Sequence, residues 1–209
     1  MEIILGEKNK KNKNYNYLIC EKINCNNNLH LSLINNVFSD EECNNLIIHS
    51  EKIGYVQASS YTDKYKKEHY FLEIRKSLRC IVDDINFAKI LYKRIAHIIP
   101  NNYKDMTFCE INPRFRFLKY TSGDHFAKHT DEHYKNDKNE ISLITVLIYL
   151  NDDYEGGNTK FLFDDTTEIS ITPKIGLICL MDQNILHEVP KLITGVKYVI
   201  RTELMYNFN

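Results

Sequence analysis

From Arg114 to Tyr206 the chain is a succession of short β-type segments broken by turns, and this rhythm restricts it to a mainly β architecture. Arg114 to Tyr120 reads as one strand, Gly123 lies in a turn, and the stretch leading to Asp131 reads as a second strand. Leu143 to Leu150 is a strongly apolar β-type run, followed by the turn Asp152-Asp-Tyr-Glu-Gly-Gly157. Further strands fit Thr159 to Phe163, Glu168 to Thr172, Ile175 to Met181 and Val196 to Tyr206.

The N-terminal half has a different period. Ser39-x-x-Glu42 is a capping box, with Cys43, Leu46, Ile47 and Ile53 at helical spacing behind it, so a helix is predicted from about Asp40 to Ile53. Asp84 can cap a second helix whose Ile85, Ala88, Leu91, Ile95 and Ile98 form one stripe before Pro100 ends it. Both stripes predict packing on a sheet from outside.

Within the β half stand His129-Thr130-Asp131, then His187, then Lys197. In a strand, residues i and i+2 point to one side, so His129 and Asp131 can reach one ion while Thr130 faces away. His187 must then arrive from another strand. Two imidazoles and a carboxylate on one face of a metal leave the opposite positions open, which suits non-haem Fe(II). The His-x-acid pattern alone carries no weight: 8 His, each with about a 28/209 chance of an acid two residues on, give about one match. The second match, His49-Ser50-Glu51, falls in a predicted helix, where i and i+2 diverge.

The surroundings lift the first match above chance. The order Tyr120, Gly123, Phe126, His129-x-Asp131, Tyr149-Leu-Asn, Glu155-Gly-Gly-x-Thr159-x-Phe161, Pro173-x-x-Gly176, Leu186-His187 and Gly195-x-Lys197 resembles the prolyl 4-hydroxylase-like Fe(II)/2-oxoglutarate dioxygenases. The resemblance covers about residues 34 to 206 and is most specific after Arg114. It implies an α+β, mainly β fold: a double-stranded β-helix (jelly-roll) core of eight short strands, with the N-terminal helices packed on the larger sheet. The expected organisation is a partly flexible lead-in over 1–30 and a single dioxygenase domain over 31–209, its catalytic core at about 107–206.

The resemblance also implies roles. His129, Asp131 and His187 would hold Fe(II), and 2-oxoglutarate and O2 would be consumed to yield succinate, CO2 and a hydroxylated product, with ascorbate as reductant. Lys197 would anchor the far carboxylate of 2-oxoglutarate, with Arg201 as rival, because 197, 199 and 201 share a strand face. Tyr120, Thr145 and Tyr149 match positions that contact 2-oxoglutarate through hydroxyls. His125 and His133 lie outside the pattern and read as surface histidines. Arg75, Arg79, Arg114 and Arg116 either line a substrate mouth or form structural ion pairs.

The expected substrate is a peptide or protein, hydroxylated at proline. The chain has no Trp, however, and carries Glu203 where several prolyl hydroxylases have an aromatic. The alternatives are the same chemistry on a free amino acid, small metabolite or modified nucleobase, and a non-catalytic jelly-roll binding module. A net charge of −1 offers no basic field for nucleic acid or an anionic membrane, and neither is expected as a partner. The basic run Lys8 to Lys13 reads as a solvated lead-in, and Lys64-Tyr-Lys-Lys67 as a solvated loop. Six cysteines without a Cys-x-x-Cys pair read as reduced thiols. No signal-type or membrane-spanning run is present, so a soluble cytoplasmic protein is expected, in the host cytoplasm were the chain viral.

Overall fold

Ser39 opens helix α1, Asp40–Ile53, through both halves of its capping box. Its hydroxyl accepts from the Glu42 N–H at 3.3 Å, and the Glu42 carboxylate accepts from the Ser39 N–H at 2.9 Å. The computed structural model describes residues 20–23, 29–62, 67–163 and 167–208. Lys8 to Lys13, Cys25 and Lys64 to Lys66 lie outside these residues, as does most of the lead-in.

Glu42 does more than cap. Arg94 of helix α2, Ile85–Ile95, donates to both of its carboxylate oxygens, at 2.6 and 3.0 Å, and so ties the two helices together in a buried pair. Asp84 caps α2 by accepting from the Phe87 N–H at 2.8 Å. The expected stripes are largely the buried faces: Cys43, Leu46, Ala88, Leu91 and Ile95 all join one core cluster. Their outermost members depart from expectation. Ile53 and Ile85, the terminal residues of their helices, stay exposed, and Phe87 supplies the early contact of α2 instead.

Two antiparallel sheets carry most of the rest, beside two small two-stranded ones. The larger has ten strands: eight follow the path Cys20–Lys22, Leu31–Ile34, Ile178–Asp182, Ile141–Tyr149, Val196–Phe208, Arg114–Thr121, Leu78–Asp83 and Val56–Gln57, and off this path Met106–Ile111 pairs with Val196–Phe208 and Asn102–Tyr103 with Met106–Ile111. The smaller has five, ordered Glu168–Ser170, Lys160–Leu162, Leu186–Val189, His125–His129 and Arg75–Lys76. The expected strands from Arg114 onward are all present, with shifted ends.

Strand alternation divides the large sheet between two cores. Phe115, Phe117, Val146, Ile148, Ile178, Leu180 and Ile200 face the helices. Their neighbours Leu118, Tyr120, Leu147, Tyr149, Cys179, Met181 and Val199 face the small sheet, where Phe161, Ile185 and Val189 meet them. Each fully buried side chain of this size contributes about 1.5–3 kcal/mol. Lys197 and Arg201 share the parity of Val199, so strand geometry alone delivers two cations into the space between the sheets.

Gly176 shows why the turn before Ile178 needs glycine. Its φ is +74°, and a Cβ there would lie 2.0 Å from the Phe38 carbonyl oxygen. Among the described residues no helix is long and apolar enough to cross a membrane.

Candidate active site

His129 ends the strand His125–His129, and His187 lies opposite it on the antiparallel neighbour Leu186–Val189, past a register shift that follows Phe126. The strand stops at His129, so Asp131 is not its in-strand neighbour, as alternation alone would have it. The Asp131 N–H instead bonds the Gln183 carbonyl at 2.9 Å, which ties this segment to the turn before His187. One ligand-type atom from each of His129, Asp131 and His187 lies within 4.8 Å of the others.

The protons of both rings are placed by the backbone. Nδ1 of His129 is 2.7 Å from the Ala127 carbonyl, and Nδ1 of His187 is 2.9 Å from the Ile185 carbonyl. A carbonyl can only accept, so each ring in its neutral form carries its proton on Nδ1 and keeps a lone pair on Nε2. Burial, with His187 and Arg75 adding to it, pushes the His129 pKa down to about 3, so this ring is neutral at physiological pH.

Asp131 is held at both oxygens. The Thr145 hydroxyl donates to it at 2.5 Å, and Arg201 approaches at 3.1 Å. Burial alone would raise its pKa, but Arg201 in particular holds the carboxyl below the usual range, so it is charged. Neutral imidazoles and an ionised carboxylate are the forms that ligate a divalent ion.

Residues 115–202 match the family model described as the 2OG-Fe(II) oxygenase superfamily. The matched stretch contains His129, Asp131 and His187. No curated protein registers a match to the sequence. Three solved structures share the fold of this chain. A Pseudomonas putida prolyl-4-hydroxylase is 12% identical over 83% of this chain and 91% of its own, with a TM-score of 0.61. A Trichoplax adhaerens prolyl hydroxylase, in complex with a hypoxia inducible factor oxygen degradation domain peptide fragment, is 15% identical over 83% and 82%, with 0.60. A viral collagen prolyl hydroxylase from Paramecium Bursaria Chlorella virus-1, in a 2OG complex, is 18% identical over 84% and 95%, with 0.53.

The protein has a cavity of about 550 Å³ between its sheets, lined by His129, Asp131 and His187 together with Lys197, Tyr120 and Arg75. Lys197 is 1% exposed, and no carboxylate pairs with it among the described residues. Its Nζ donates to the Gly157 carbonyl at 2.6 Å and stands 5.5 and 5.6 Å from the ring centres of Tyr120 and Tyr149. Desolvation lowers its pKa to about 7. Gly157 reaches this position with φ +62°, and a Cβ would come within 2.9 Å of Leu192 Cδ1.

Arg201 points elsewhere. It bridges Asp131 and Glu203, and Glu203 also accepts from Arg116 at 2.8 Å and Asn112 at 2.8 Å. Thr145 bonds Asp131, and the Tyr149 hydroxyl donates to Thr159 at 2.9 Å; neither Thr145 nor Tyr149 lines the cavity, whereas Tyr120 does. His133 is exposed, as expected, but its Nδ1 donates to the Ser142 carbonyl and to Gln183 Oε1, at 2.7 and 2.9 Å. Arg79 and Arg116 line the cavity while paired to Glu68 and Glu203; Arg114 pairs with Asp83 at an exposed position. Glu51 of the chance His49 match is bonded to Lys119 and Tyr198 and belongs to no metal-type cluster among the described residues.

Sequence reasoning missed Gln183. Fully buried, it accepts from Ser142 and His133 and donates to Thr145 at 3.3 Å, so it braces the residue that braces Asp131. An amide between an apolar strand and His187 was its only sequence signal.

Proposed function

We propose that the chain hydroxylates a peptide or protein substrate, at proline, with His129, Asp131 and His187 as ligands of Fe(II) and Lys197 as the anchor for the far carboxylate of 2-oxoglutarate. The observation that carries this reading is the buried, carboxylate-free Lys197 in the same cavity as the three-ligand cluster. A desolvated cation without an anion is costly unless a ligand supplies one. The two facing sheets are read as the double-stranded β-helix of such enzymes.

When bound, Fe(II) and 2-oxoglutarate supply oxidative decarboxylation to succinate and CO2, coupled to hydroxylation of a C–H bond. This chain's residues do the positioning. The Ala127 and Ile185 carbonyls hold both imidazoles in the ligating tautomer. Thr145 and Arg201 aim Asp131, and the Tyr120 and Tyr149 rings wall Lys197 from water.

A peptide substrate is favoured because the cavity rim includes the exposed Ile74, Thr130, Glu132 and Tyr134, which open it to solvent on one side. The prolyl hydroxylase names of the three structural neighbours, one of them bound to a peptide, point the same way. The test is succinate formation from 2-oxoglutarate with Fe(II) and ascorbate under air, with and without a mixture of proline-containing peptides. Peptide-stimulated succinate that His129→Ala abolishes supports the proposal. Succinate without peptide stimulation moves the substrate to a small molecule, and neither turnover nor bound iron overturns the reading.

A further inference from the structure

The chain has six arginines, and five of them meet a carboxylate. Arg79 pairs with Glu68, Arg94 with Glu42, Arg114 with Asp83, Arg116 with Glu203, and Arg201 with Asp131 and Glu203. Arg75 meets none among the described residues, yet it lines the active-site cavity. It is the arginine counterpart of Lys197.

Its guanidinium is built into place. Nε donates to Ser77 Oγ at 3.1 Å and Nη1 to the Ser59 carbonyl at 3.3 Å. Its plane lies over the Phe126 ring, 4.4 Å from the centroid, and Phe126 stacks on His129 at 3.6 Å. One aromatic layer therefore separates this cation from a proposed iron ligand. Neutral acceptors and a ring face orient a guanidinium without neutralising it. Burial, with Arg201 and Arg79 adding to it, lowers its pKa from the usual arginine value.

The two unmatched cations are not redundant. Tyr120 stands between them, its ring toward Lys197 and its hydroxyl hydrogen-bonded to Arg75 and Ser77. A dicarboxylate anchored at Lys197 and directed to the metal uses its far carboxylate at the first cation and its near one at the ion. Arg75 is left for the other reactant. Just before it in the chain, Tyr70, Phe71, Leu72 and Ile74 are exposed, and Ile74 lines the cavity, apolar surface that a small acid would not need.

Resting on the peptide reading above, we propose that Arg75 is a specificity residue that receives an acidic side chain of the substrate peptide, so that the enzyme selects prolines flanked by Asp or Glu. A guanidinium with a planar fork suits a carboxylate, and losing one charged hydrogen-bonded contact costs about 10- to 100-fold in kcat/KM.

The experiment uses two fluorescently labelled peptide pools with a central proline. One has Asp or Glu at the flanking positions, and the other has the isosteric Asn or Gln. Succinate formation and anisotropy binding are measured at saturating 2-oxoglutarate for the wild type, Arg75→Gln and Arg75→Lys. The readout is the acid-to-amide ratio within each protein, which a partial folding defect cannot change. The expected ratio is about 10 to 100 in the wild type, close to one in Arg75→Gln and intermediate in Arg75→Lys. Equal use and equal binding of the pools by the wild type, or an acid preference that survives in Arg75→Gln, overturns the proposal. An unchanged ratio with a raised KM for 2-oxoglutarate overturns it too, by making Arg75 a cosubstrate anchor. If neither pool is turned over, the prolyl reading fails instead, and the binding ratio still decides whether Arg75 selects acids.

Discussion

Replacing Lys197 by methionine should weaken 2-oxoglutarate and stabilise the enzyme that lacks it, two effects of opposite sign from one buried charge. In the folded chain the Lys197 pKa is about 7, below the usual lysine value, because of desolvation. The folded state therefore holds fewer protons than the unfolded one above pH 7, and stability of the free enzyme rises with pH from there toward the unfolded lysine pKa of about 10.4. Below pH 7 the whole penalty is present, on the order of 4 kcal/mol. Methionine removes that penalty but strands the Gly157 carbonyl, which costs about 1–3 kcal/mol. The net gain is about 1–3 kcal/mol, or several degrees in Tm. With 2-oxoglutarate the balance inverts, because removing one partner of a buried ion pair costs about 3–5 kcal/mol, a KM rise of about a hundredfold to a few thousandfold. Thermal melts with and without 2-oxoglutarate at pH 7 and 9, together with succinate formation against 2-oxoglutarate concentration, measure both. A variant that melts below the wild type without ligand, or whose KM rises less than about threefold, refutes the reasoning.

Thr145→Val should weaken Fe(II) binding by about 10- to 100-fold while leaving the KM for 2-oxoglutarate nearly unchanged, because its hydroxyl bonds Asp131. Titration of the two ligands separates this from direct contact with 2-oxoglutarate, which would move the KM instead. Glu42→Ala should destabilise the fold by about 3–5 kcal/mol by removing the carboxylate that the buried Arg94 meets, read as a shift in the urea midpoint. A shift of under about 1 kcal/mol would mean that the pair joins the helices without stabilising them.

Both helices and the strands after Arg114 were legible because each rests on a local rule: a capping box, a 3.6-residue stripe, or a period of two between turns. Ile53 and Ile85 were misread because periodicity assigns a face but not the point at which a helix runs past its support. Likewise, the i, i+2 argument placed His129 and Asp131 on one side, yet a bond to Gln183 rather than strand continuation holds Asp131 there.

The residue types of the candidate site, two histidines, an aspartate and a lysine, were written in the chain together with the parity that sends residues 197 and 201 inward. Which cation meets which anion was not, since that depends on distances across strands far apart in sequence. Arg201, equal to Lys197 by parity, is taken by Asp131 and Glu203, whereas Lys197 is walled by two tyrosine rings and meets no acid among the described residues. Arg75 looked like its paired neighbour Arg79 until the fold laid it over Phe126 without an ion pair to any described carboxylate. Local sequence rules set secondary structure and facing through short-range backbone sterics; charge pairing is a long-range property, decided when the two sheets close.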